Sequence, residues 1–150
     1  MSPGGAPLRR PSEDFAPARA LLDYVRSAPS GVGDTVVDED QVRAELARLL
    51  AALDGMVARL PGGEADPESE AEAPSPDIGG VLNLVVTAFP FLPQLVAQQL
   101  ALVLVDLTET LWYLEHVNER EASWYCRFGY SCNWGDRLSL VREALAKAEA

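Results

Sequence analysis

Apolar side chains return at spacings of three and four along most of the 150-residue chain, the period of an α-helix with one buried side. The run SEDFAPARALLDYVRS, from Ser12 to Ser27, predicts a short helix with Phe15, Leu21, Leu22 and Val25 on its apolar side. Ser12 stands where it can cap, Glu13 and Asp14 favour the positive end of the helix dipole, and Pro17 suits a first turn. SAPSGVG then breaks the period, with Gly31 and Gly33 as turn residues. A longer helix follows. Asp38 and Gln41 have capping-box spacing, and Val42, Leu46, Leu49, Leu50, Leu53, Val57 and Leu60 mark one broad face before Pro61-Gly62-Gly63 stops it.

The next stretch, GGEADPESEAEAPSPD, is acidic, proline-bearing and free of large apolar residues, which predicts a flexible loop over about residues 61–78. Between Asp77 and Asp106 the pattern inverts and no residue is charged. That run is long enough to cross a membrane by length alone. Three features argue against a span: a polar stripe of Asn83, Thr87, Gln94, Gln98 and Gln99, interruption by Pro90 and Pro93, and acidic flanks without Lys or Arg. The pattern predicts two buried helices, 79–89 and 93–121, bent at Phe89-Pro90-Phe91-Leu92-Pro93. Leu107, Leu111, Leu114 and Val117 then face inward and Glu109, Glu115 and Glu119 outward. Aromatic residues gather near the C-terminal part, and DRLSLVREALAKAEA closes the chain as a last helix. No stretch alternates with period two for long, so the fold class is all-α: one helical domain over 12–150 behind a flexible arm, 1–11.

Charge narrows the choice of partners. Twelve Lys and Arg against 23 Asp and Glu leave a net charge of −11, which repels phosphate backbones and so argues against nucleic acid. The N-terminal stretch has no apolar run that would serve as a secretion signal, and two cysteines are too few for a disulfide framework, so an intracellular location is expected. Catalysis has little to build on: the single histidine, His116, lies between glutamates on a helix with no nucleophile or phosphate loop to match it. His116, Cys126 and Cys132 lack the spacing and the fourth ligand of a zinc site. The two cysteines read as small buried hydrophobes. The expectation is a binding protein with no metal, cofactor or reaction. Leu46, Leu50, Leu53 and Val57 have the i, i+4, i+7, i+11 spacing of a groove-binding helix, a spacing equally suited to burial in the chain's own core.

Several blocks, read in order, resemble the adenovirus small T-antigen family of Bcl-2-like apoptosis inhibitors. SEDFAPARALLDYVRS is similar to its opening block at Glu13, Asp14, Phe15, Arg19, Leu21 and Leu22. EDQVRAELARLLAALDGMVARLPGG resembles its BH3-like helix at Glu39, Asp40, Leu49, Leu50, Asp54, Gly55 and Leu60. SPDIGGVLNLVVTAF looks like the lead-in to the central helix, with Gly79 or Gly80 at the glycine of the BH1 motif. LVDLTETLWYLEHVNER is similar to a later block at Leu104, Asp106, Leu111, Trp112 and Arg120. The chain departs from the family in its acidic stretch 64–77 and in lacking Asn-Trp-Gly before the central helix. Asn133-Trp134-Gly135 stands instead near the C-terminus, where Trp134 and Asp136 match a BH2-like element.

The resemblance implies a Bcl-2-like helical bundle around a hydrophobic central hairpin, 79–89 with 93–121. Its partners would be pro-apoptotic Bax and Bak, and its place the host cytoplasm and intracellular membranes, with peripheral membrane association. The partner-binding residues it implies are Leu46, Leu49, Leu50, Leu53, Asp54 and Val57, with Gly79, Gly80, Val85 and Phe89 at the central helix and groove. Two other readings suit the same pattern: a helical assembly subunit dimerising through the 79–121 surface, and a small membrane-associated protein.

Overall fold

Among the described residues Phe15 is the first to enter the core, and it does so from a break between helices. In the computed structural model, which describes residues 11–27, 38–60, 62 and 71–149, a single turn α1 (Pro11–Asp14) precedes α2 (Ala16–Ser27). The carbonyl of Phe15 accepts from the amides of Ala18 and Arg19, at 3.0 and 3.2 Å. The one helix expected from Ser12 is therefore two, with Pro17 in the first turn of the second, where its missing N–H breaks no bond. The arm 1–11 lies outside the described residues except Pro11, which opens α1.

The next helix, α3 (Glu39–Arg59), begins where Asp38 caps it, Oδ1 accepting from the amide of Asp40 at 3.0 Å. It ends at Leu60, beyond which Pro61 cannot continue the ladder. Leu46, Leu49, Leu50 and Leu53 are buried as the pattern predicts, but the next core position is Met56, and Val57 sits half-buried at the edge. Most of the acidic loop lies outside the described residues. Its last part, 71–77, forms neither helix nor strand, and the amide of Ala73 donates to the hydroxyl of Tyr113 at 3.3 Å.

The charge-free run forms α4 (Ile78–Ala88) and α5 (Gln94–His116) around the expected bend, which Leu92 closes by donating to the Phe89 carbonyl at 3.1 Å. The two helices part company in burial. The 23-residue α5, about 35 Å long, is the central helix, packed against α2, α4, α6 and α7. By length and composition it is apolar enough to cross a membrane, and more than half of that stretch is buried inside the bundle. The expected burial of α4 is corrected: only Val85 and Ala88 are buried, and most of the helix is exposed.

The expected helix 93–121 is also corrected, because α5 stops at His116 and Val117 leaves helical geometry. Asn118 then caps α6 (Glu119–Gly129), its Oδ1 accepting from the Glu121 amide at 2.8 Å. An asparagine side chain that competes for nearby amides favours such a restart. A five-residue π-helical turn (Tyr130–Trp134) leads directly into α7 (Gly135–Glu149), so the aromatic region is helical throughout. The described residues contain helices and no strand, as an all-α bundle requires. Phe15, Leu21, Leu50, Leu53, Leu100, Leu107, Trp134 and Leu138 meet in one core.

Candidate interaction surfaces

The residues expected to meet a partner on α3 are already engaged within the chain. Leu46, Leu49, Leu50 and Leu53 are covered by neighbouring helices, and α3 packs on α2 and α7. Asp54, at the edge of that face, accepts from the Tyr130 hydroxyl at 2.6 Å on Oδ1 and from Arg142 on Oδ2. That hydrogen bond, and secondarily burial, raises the pKa of Tyr130, while Arg142 opposes the rise. Of the two uses open to the α3 spacing, burial in the chain's own core is the one these contacts show. A helix with one broad apolar side gains most by turning that side onto its own core.

The expected central-groove residues divide. Val85 and Phe89 are fully buried, Phe89 stacking on Tyr24 with centroids 6.0 Å apart and meeting Phe91 edge-on at 6.2 Å. Arg43 of α3 lies over the Phe91 ring, 4.3 Å from its centroid. Gly79 and Gly80 instead stand exposed in the first turn of α4. Along the same helix Ile78, Leu84 and Val86 are 52%, 39% and 48% exposed, and Leu95 beyond the bend is 71% exposed.

Between α2 and α5 runs a cleft of about 210 Å³. Arg19, Leu22, Asp23 and Arg26 line it from α2, and Thr108, Leu111, Trp112 and Glu115 from α5. Each set follows the spacing i, i+3, i+4, i+7, so two complete helix faces form the walls. Leu22 and Leu111 are buried beneath them. Arg19 pairs with Glu115 across the cleft at 3.2 Å, and Trp112 is held by stacking on His116, 4.9 Å between centroids. The Nδ1 of His116 is in turn 3.1 Å from the Trp112 carbonyl, so the histidine is tied to the same wall.

Elsewhere on α5, Glu109, expected to face outward, is half-buried and accepts from the Tyr125 hydroxyl. Burial raises the pKa of Asp106 to about 6, with Glu109 adding to the rise and Arg137 opposing it. Burial raises the Tyr125 pKa as well, and pushes the Cys126 thiol up to about 12. Of the two cysteines read as buried, Cys132 is exposed. Among the described residues no three His, Cys, Asp or Glu side chains come together around a metal position. Trp134 is wholly buried, with Nε1 unpartnered, and Asp136 is exposed. A BH2-like role for the pair has only Asp136 at the surface.

Sequence reading missed the Tyr130–Asp54–Arg142 junction, the Arg137–Gln99 hydrogen bond of 2.7 Å, and the α2–α5 cleft as a unit. Gly129 and Gly135 bracket YSCNW, the segment that forms the π-helical turn. A Cβ at Gly135 would stand 2.4 Å from the Tyr130 carbonyl oxygen.

No protein-family model matches the chain, and no curated protein does. Among solved structures it is similar to protein BF1032 from Bacteroides fragilis, with a TM-score of 0.72 and 12% sequence identity over 93% of this chain and 91% of the other. At that identity the likeness concerns the fold, and the all-α bundle described above is one that another protein also adopts.

Proposed function

We propose that the chain is a protein-binding helical bundle that acts as a viral Bcl-2-like inhibitor of host apoptosis, engaging Bax- or Bak-type proteins without reaction or cofactor. The observation that carries this reading is the composition of the α2–α5 cleft. Arg19 and Leu22 from the first block of the resemblance and Leu111 and Trp112 from the last line it together, although they lie far apart in the chain. An apolar floor, an aromatic wall and rim charges of both signs suit one or two anchor side chains of an amphipathic helix. Arg26, exposed at the rim, is placed to meet an acid on that helix.

The test is calorimetric titration of the purified chain with Bax and with Bak, repeated with Arg26→Glu and Trp112→Ala, alongside survival of cells expressing the chain under an apoptotic stimulus. Binding lost in both variants, with circular dichroism unchanged, supports the reading. It is abandoned if neither protein binds and cells gain no protection.

A further inference from the structure

We propose that Ser75 is a phosphorylation site for a proline-directed serine/threonine kinase of the host cell, and that the phosphate releases the 71–77 segment from the helical body. Among the described residues Ser75 is the one serine or threonine outside helical structure; every other, Ser27 and Ser139 among them, stands in a helix or in the π-helical turn. A kinase takes its substrate as an extended stretch that brings the hydroxyl to a catalytic aspartate, and a helix withholds that geometry. Ser75 is exposed in a stretch that is neither helix nor strand, and the proline after it keeps the Ser75 backbone in the extended region.

The neighbours select the kinase class. Pro76 has no N–H, so a substrate groove without an acceptor at that position takes it freely, whereas any other residue would leave its amide unsatisfied there. Glu72 and Asp77 flank the site, and the segment 71–77 holds no cation, so a kinase whose acidic groove selects arginine is repelled. In the reaction Ser75 Oγ bonds to the γ-phosphorus of ATP as the bond from that phosphorus to the bridging oxygen of the β-phosphate breaks. ADP leaves, and the hydroxyl proton passes to the aspartate of the kinase.

The product adds a charge of about −2 two residues from the Ala73 amide, which holds the segment to the Tyr113 hydroxyl at 3.3 Å. Tyr113 packs on Tyr125 with centroids 4.9 Å apart, and Tyr125 donates to Glu109, so the anchor already lies beside an acid. Repulsion among the phosphate, Glu72, Asp77 and Glu109 favours release. The inference takes the host cell from the proposed function and nothing from the α2–α5 cleft.

The test treats the full chain with a purified cyclin-dependent kinase and Mg-ATP and maps phosphate by mass spectrometry, because Ser2-Pro3 carries the same dipeptide. Phosphate on Ser75 is expected, both there and in the chain recovered from human cells. Pro76→Ala slows its addition by at least about tenfold, and an arginine-directed kinase leaves Ser75 unmodified. The Ala73 amide then exchanges at least about tenfold faster in the phosphorylated chain, and Tyr113→Phe, which removes the anchor, makes that rate insensitive to phosphate. A Ser75 that stays unmodified with the kinase or in cells overturns the site, as does an equal rate in Pro76→Ala. Unchanged exchange at Ala73 overturns the release. Binding to Bax or Bak enters none of these readouts, so the two proposals fail separately.

Discussion

The hydroxyl of Tyr130 donates to Oδ1 of Asp54 at 2.6 Å, joining positions 76 residues apart. Because Arg142 donates to the other carboxylate oxygen, one side chain of α3 ties the π-helical turn and α7 together. Asp54 is the acid that the resemblance places on a recognition helix, and in the folded chain both its oxygens are occupied from within.

Removing the Tyr130 hydroxyl should therefore cost stability without touching the core. Tyr130→Phe is expected to lose about 1 kcal/mol. Arg142→Ala should lose less, since that ion pair is partly exposed. A double-mutant cycle between positions 130 and 54 by urea denaturation checks it, and a coupling near zero would mean that the hydrogen bond does not form in solution.

Leu50→Glu and Leu53→Glu are expected to unfold the domain. Burying an unpaired acid costs several kcal/mol, against a typical domain stability of about 5 to 15 kcal/mol. Circular dichroism reads this directly. Loss of binding in these variants would report lost fold and would say nothing of recognition, whereas Val86→Glu should keep its helical signal.

Glycines in this chain should respond to alanine with opposite signs. Gly135→Ala forces a Cβ against the Tyr130 carbonyl and is expected to destabilise by about 1 to 3 kcal/mol. Gly79→Ala meets only ordinary contact and should stabilise the fold by about 0.5 to 1 kcal/mol. Thermal melts of the two variants compare them, and equal losses would refute the π-turn packing.

Asn118→Ala should shorten or loosen the start of α6, whose Glu121 amide loses its partner. The expected loss is about 1 kcal/mol, and hydrogen exchange at residues 119–122 should rise before that of α5.

The half-buried Asp106 carboxyl gives stability a pH dependence opposite to that of a salt-bridged acid. Its pKa is raised from 3.8 to about 6 on folding, so the folded state holds its proton more tightly. That contribution is complete below pH 3.8 and is lost as pH rises through about 6. Around it stand Glu109 on its own helix, Tyr125 and Cys126 on α6, and Arg137 on α7. Asp106→Asn should therefore gain melting temperature over wild type as pH rises across that window. A difference that is flat with pH would show that Asp106 is solvated like a free acid.

Much of the architecture was readable from pattern because periodicity, caps and breakers act locally. The Asp38 cap, the stop at Pro61, the bend at Phe89–Pro93 and the inward faces of α3 and α5 all follow from neighbours in the chain. The break at Val117 was missed because apolar spacing ran on past Asn118, and only the cap geometry reveals that one helix ends there and another starts.

The sequence by itself determined that the chain is helical, which side of each helix avoids water, and that its longest apolar run carries no charge. Only the tertiary structure decided what covers each apolar side. Periodicity records a preference against water without naming the neighbour that satisfies it. Leu46, Leu49, Leu50 and Leu53 found that neighbour within the chain, while half of α4 did not, since α5 takes the central position and α4 packs on it from outside. The α2–α5 cleft and the Asp54 junction are likewise meetings of distant segments, which no local pattern encodes.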